Sequence, residues 1–129
     1  MLDPSVKELA QGKNFAVITV HLPSGAAATQ VMWVDADDDH IVMNTEVHRA
    51  KFKALEADPR VTVTIWDQAN PYHYAEVRGR VASTERGPQA RAMIDRLSQK
   101  YLGTDYERPI ESERVTIRIA PERQRTHPG

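Results

Sequence analysis

Two stretches of this chain alternate apolar and polar side chains residue by residue, a period of two that fits β-strands with one buried face. One is Val61-Thr-Val-Thr-Ile-Trp66. The other is Tyr72 to Ser83, where Ala75, Val77, Gly79 and Val81 share a face and Glu76, Arg78 and Arg80 take the opposite one. Gln68-Ala-Asn-Pro71 breaks the chain between them. Upstream, Phe15 to His21 is rich in β-formers and Pro23-Ser-Gly25 is a turn; Ala27 to Asp35, centred on Val31-Met-Trp-Val34, is the second arm of a hairpin. Asp37-Asp-Asp39 turns the chain into a third strand, His40 to Thr45. Val115-Thr-Ile-Arg-Ile119 is a last half-buried strand, expected to end at Pro121.

Helices are expected at Ser5 to Gln11, stopped by Gly12, and after Gly87-Pro88, with Met93, Ile94, Leu97 and Tyr101 as the apolar stripe. The reading is mainly β with minor α: six strands and two or three helices. Short connections favour antiparallel pairing, and a small barrel with helices capping its openings is the simplest closure.

A chain of 129 residues closes one core, so a single domain over 1–129 is expected. The net charge of -1 lacks the basic excess of a general nucleic-acid or membrane-surface binder. Cysteine is absent, which excludes disulfides, thiolate catalysis and thiolate metal sites. The start, Met1-Leu-Asp-Pro4, is polar and no apolar run approaches membrane length, so cytoplasmic residence is the expectation.

The chemistry-bearing segment is Asn44-Thr-Glu-Val-His-Arg-Ala-Lys-Phe-Lys53. It follows the apolar run Ile41-Val-Met43 and leads into a short helical pattern that stops at Asp58-Pro59. Arg49, Lys51 and Lys53 therefore crowd a helix start, where the macrodipole and unpaired N–H groups already present positive charge. Cations there cost a few tenths of a kcal/mol each unless an anion compensates, and a phosphate is the natural one.

This order of parts resembles the flavin-reductase split-barrel superfamily, the pyridoxamine-phosphate-oxidase-like group with its FMN-binding split barrel. The parts that carry the likeness are the strand–hairpin–strand start, Arg49-Ala-Lys51 before a short helix, Asp58-Pro-Arg60, and the strand ending in Trp66. The nearest branch is the small actinobacterial one of deazaflavin (coenzyme F-420)-dependent reductases, over roughly Val6 to Pro121. The resemblance implies a homodimer with a cofactor in each of two clefts between protomers. It implies that Arg49 and Lys51 hold the cofactor phosphate, that Asn44 and Thr45 hydrogen-bond near it, and that Gln30, Val31, Met32 and Trp33 lie along the tricyclic ring. It also implies that Tyr72, His73 and Tyr74 reach across to the partner's site. The chain is shorter than a true pyridoxamine phosphate oxidase, and its tail, Arg123 to Gly129, lacks that enzyme's usual substrate segment.

Each candidate has a plainer reading. The cations could form a solvated helix face balanced by Glu46 and Glu56; Arg49 and Lys51, two apart, would diverge on one continuous helix, so phosphate binding needs Arg49 in the turn before it. Lys53 is expected to face water. Trp66 is expected in the core, Trp33 against a cofactor or in a dimer interface, and Tyr72 and Tyr74 are otherwise a half-exposed strand end. The five histidines lack metal-site spacing, Asp37 to Asp39 read as a turn, no serine sits in a nucleophile elbow, and no Gly-rich phosphate loop is present.

The expected activity is a hydride transfer from a reduced deazaflavin to an activated double bond of a small organic substrate. The cofactor carries the chemistry and the protein supplies position and exclusion of water. FMN is the alternative cofactor. A non-catalytic protein holding a flavin, deazaflavin or haem is a second class of reading, and a purely structural role for the cations is a third.

Overall fold

In the computed structural model, which describes residues 1–129, three helices pack on one seven-stranded antiparallel sheet curled into a split barrel. The elements are α1 (Pro4–Gln11), β1 (Phe15–His21), β2 (Ala27–Trp33), β3 (Asp35–Ala36), β4 (Ile41–Glu46), α2 (Ala50–Ala57), β5 (Arg60–Trp66), β6 (His73–Arg86), α3 (Pro88–Leu102) and β7 (Arg114–Pro128). Strand order is β2-β1-β5-β6-β7-β4-β3. No helix is long and apolar enough to cross a membrane.

The alternation read from the sequence sets the faces. Ala16, Ile18 and Val20 of β1, Val61, Val63 and Ile65 of β5, and Ala75 and Val77 of β6 are buried and fill the barrel. Their neighbours at odd register form the outer face: Val17 lies opposite both Val31 and Thr64, and Thr19 opposite both Thr29 and Thr62. Trp66 belongs to this half-buried outer face, packed on Phe15 at 6.4 Å between ring centroids, and not to the core expected for it.

Two features depart from the expected strand list. The seventh strand is β3, a two-residue piece that pairs with Ile41 and Val42 after the chain breaks at Val34. The last strand does not end at Pro121 but runs to Pro128 alongside β6. Pro121 is tolerated because it faces Gly79, where the register shifts between Arg78 and Gly79 and a missing N–H breaks no regular ladder. A second shift lies between Val81 and Ser83. Such bulges bend the long β6–β7 ribbon, so that it closes on β5 at one side and β4 at the other.

β4 is the strand that positions the site, because both of its faces are buried. Ile41, Met43 and Thr45 point into the barrel core. Val42, Asn44 and Glu46 point the other way, opposite Arg118, Thr116 and Arg114 of β7, on the face that α3 covers.

Candidate functional site

Where β4 ends, Arg49 is the extended N-cap residue of α2 and Lys51 lies in the helix's first turn. The one-residue break from helical geometry brings the two cations together, as the phosphate reading requires. Both line a single cleft of about 310 Å3, with Asn44, Arg108 and Arg114. The first turn of α2 holds no acidic residue, and no side chain caps it. Lys53, by contrast, is exposed.

The anionic counterweight is buried behind the cations. Glu46, 1% exposed, accepts the backbone N–H of Glu111 and of Ser112, both at 2.7 Å. Its other oxygen accepts from Arg49 Nη2 at 3.3 Å and stands 3.7 Å from Arg114 Nη1. Burial alone would raise this carboxyl; the two N–H donors with Arg114 and Arg49 outweigh it and hold the group below its ordinary range. Asn44 fixes Arg114 from the other side, its Oδ1 accepting from Arg114 Nε at 2.7 Å while its amide donates to the Ala90 carbonyl and Thr116 Oγ1. Lys51 donates to Gln30 Oε1 at 2.9 Å. Burial, then the Arg49 and Arg114 charges, push the Lys51 ammonium down to about 8. Burial is the larger cause, and the added repulsion from Arg49 and Arg114 is positive potential that an anion would relieve.

The rest of the cleft is apolar. β2 is a terminal strand, so Gln30, Val31, Met32 and Trp33 line the opening with one backbone edge free of ladder partners. The Trp33 ring stacks on Tyr101 at 5.2 Å and 5°, and Tyr106 meets Trp33 edge-on at 6.3 Å. The Arg114 guanidinium lies over the Tyr106 ring at 5.2 Å. Phe15, Ile94 and Leu97 complete the apolar side. Cations and aromatic rings therefore line the same cleft, a combination that suits a flat ring carrying a phosphate. A hollow of similar size on the other side of α2 is lined by Phe52, Leu55, Val81 and Ile117 with Glu56 as its single charge. It has no cation to hold a phosphate.

Seven expected site residues thus meet in one cleft: Gln30, Val31, Met32, Trp33, Asn44, Arg49 and Lys51. Thr45 does not join them, because strand alternation turns it into the barrel, where its hydroxyl is buried without a partner. Tyr72, His73 and Tyr74 lie outside the cleft. Tyr72 is 75% exposed, His73 Nδ1 sits 3.2 Å from Asp67 Oδ2, and Tyr74 stacks on His127. The residues that sequence reading missed are Phe15, Ile94, Leu97, Tyr106, Arg108 and Arg114. Ile94 and Leu97 are legible in sequence only as the apolar stripe of α3 and Phe15 only as a strand start; that Arg114 faces Glu46 emerges from the register alone.

This architecture recurs in solved structures. An F420 reductase superposes with a TM-score of 0.83 at 24% identity, covering 96% of this chain and 98% of that one. A conserved hypothetical protein from Mycobacterium tuberculosis gives 0.72 at 20%, covering 99% and 85%. General Stress Protein 26 from Bacillus anthracis gives 0.72 at 19%, covering 95% and 91%. At these identities the likeness establishes the fold. No curated protein matches the sequence. A family profile described as pyridoxamine 5'-phosphate oxidase does match, over residues 2–128, and the chain belongs to that family.

Proposed function

We propose that the cleft binds a phosphorylated flavin-type cofactor and that the protein is an oxidoreductase of the deazaflavin (coenzyme F-420) kind, transferring a hydride to an activated double bond of a small organic substrate. The observation that carries this reading is the convergence of Arg49, Lys51 and Arg114 in one cleft that Trp33, Phe15 and Tyr106 also line. Likeness to an F420 reductase favours the deazaflavin over FMN. FMN is the second reading, favoured by membership of the pyridoxamine 5'-phosphate oxidase family.

Arg49 and Lys51 would hold the phosphate, with Arg114 beside them. The free edge of Gln30 to Trp33 would meet the polar edge of the ring system, and Trp33 with Tyr106 would cover its apolar part. When bound, the cofactor supplies the hydride chemistry; the protein's groups orient it and exclude water. The cleft opens beside terminal strand β2, and a second copy of the chain would close it, with Tyr72, His73 and Tyr74 as the residues that reach the partner's site. Catalysis then belongs to a homodimer acting on a small molecule.

Titration of the purified protein with each cofactor, followed by ring fluorescence, tests the reading. Saturable deazaflavin binding is expected, weakened at least about tenfold in Arg49→Ala or Lys51→Ala, as loss of a charge-assisted hydrogen bond implies. Reduced deazaflavin should then be consumed with a quinone or enone. FMN binding without a deazaflavin response would transfer the proposal to the second reading, and binding of neither would overturn both.

A further inference from the structure

We infer that Glu46 is a positioning residue of the phosphate locus, aiming the Arg49 and Arg114 guanidiniums into the cleft and fastening the loop that brings Tyr106 and Arg108 to it. The inference rests on the cofactor reading above and deepens it. Glu46 does not line the cleft; it stands behind the residues that do. Its Oε1 ends the 103–113 loop by accepting the N–H groups of Glu111 and Ser112, and its Oε2 takes one edge of Arg49 while facing Arg114. A guanidinium has five donors in a fixed fork, so a carboxylate engaging one edge leaves other N–H groups for further partners, and both arginines line the cleft. Two segments more than sixty residues apart, the β4–α2 junction and the loop running into β7, are thereby referred to one buried carboxylate.

Charge alone gives the opposite forecast, which makes the inference testable. Removing a carboxylate next to an anion site raises the positive potential and should tighten anion binding. If Glu46 acts by orientation, its loss loosens two guanidiniums that repel each other, and phosphate recognition weakens although the site is more positive.

The measurement is the ratio of affinities for FMN and riboflavin, or for the deazaflavin coenzyme and its phosphate-free ring compound, whichever pair the protein binds. This ratio isolates the phosphate, and a merely structural role for Glu46 would leave it unmoved. In Glu46→Gln, where the amide oxygen still accepts both loop N–H groups, the phosphate preference is expected to fall about tenfold or more, the scale of a lost charge-assisted hydrogen bond. Arg49→Lys keeps the charge but loses the fork, and should lower the preference as well; the double variant should fall no further than the worse single one, since both remove the same pair. An unchanged or strengthened preference in Glu46→Gln overturns the inference. Should that variant fail to fold, an unchanged preference in Arg49→Lys overturns it equally. A wild-type protein that binds the ring compounds without preferring the phosphorylated forms overturns the cofactor reading, and this inference with it.

Discussion

Lys51 and Lys53 stand two positions apart on one short helix and meet opposite environments: Lys53 is exposed, while Lys51 is drawn against Gln30 beside Arg49 and Arg114. With its ammonium pushed down to about 8, Lys51 is mostly protonated at neutral pH and loses its proton as pH rises through 8. Phosphate affinity should therefore decline above pH 8, and cofactor binding near that pH should take up protons, because a bound anion raises the pKa again. The Lys51→Arg variant should bind with a flat profile over the same range; binding titrations in two buffers of different ionisation enthalpy measure the proton count. Folding responds with the opposite sign. Between pH 8 and the ordinary lysine value the unfolded chain binds more protons than the folded one, so Lys51's contribution to stability improves as pH rises there. The pairing of Arg49 with Lys51 was legible in sequence because a strand, a turn and a helix start follow in order. Glu46 was legible only as a balancing charge on a helix face. Its burial depends on Glu111, Ser112 and Arg114, more than sixty residues onward, and no local pattern announces such a contact.

At the scale of elements, strands with clean alternation were placed by pattern alone, and those whose environment changes along their length were not. β7 begins buried between β4 and β6 and ends exposed with β6 as its only neighbour, so the period-two signal fades at Pro121 although the strand continues. β3 is two residues long, below what periodicity can register. Thr45 enters the expected site through the family resemblance, and alternation within β4 turns its side chain to the barrel side of the strand, away from the cleft. Gly79 carries a sharper consequence. A Cβ built there would lie 2.1 Å from the Ala120 carbonyl oxygen, a backbone atom that cannot swing aside, and the glycine sits at the register shift that bends the ribbon. Gly79→Ala should destabilise the fold by about 1–3 kcal/mol or more, the usual range for forced overpacking. Chemical denaturation would show it as a lowered midpoint. An Ala variant as stable as the parent would mean that β6 and β7 do not approach this closely.

At the scale of the whole molecule, the outer face of β2, β1 and β5 is unusual for a surface. Thr19, Thr29, Val17, Val31, Thr62 and Thr64 form a patch without a charge, bounded by Trp33, Phe15 and Trp66 at one end, and Val31 is 58% exposed. The neighbouring strand β6 is charged on the same face through Glu76, Arg78 and Arg80, so solubility has not been neglected across the sheet, only on this part of it. An uncharged, flat, partly apolar area beside the opening of the cleft is where the proposed second copy would pack, since it shares Trp33 and Val31 with the cleft wall. Val17→Asp puts a charge at the centre of that area, opposite Val31 and Thr64, without touching the barrel core on the other face of β1. If the site needs two protomers, the parent should sediment as a dimer and the variant as a monomer with the same circular dichroism spectrum. Cofactor affinity should fall together with the dimer and recover as protein concentration rises. A parent that sediments as a monomer while binding cofactor would detach the cleft from any partner, and Tyr72, His73 and Tyr74 would then have no part in it.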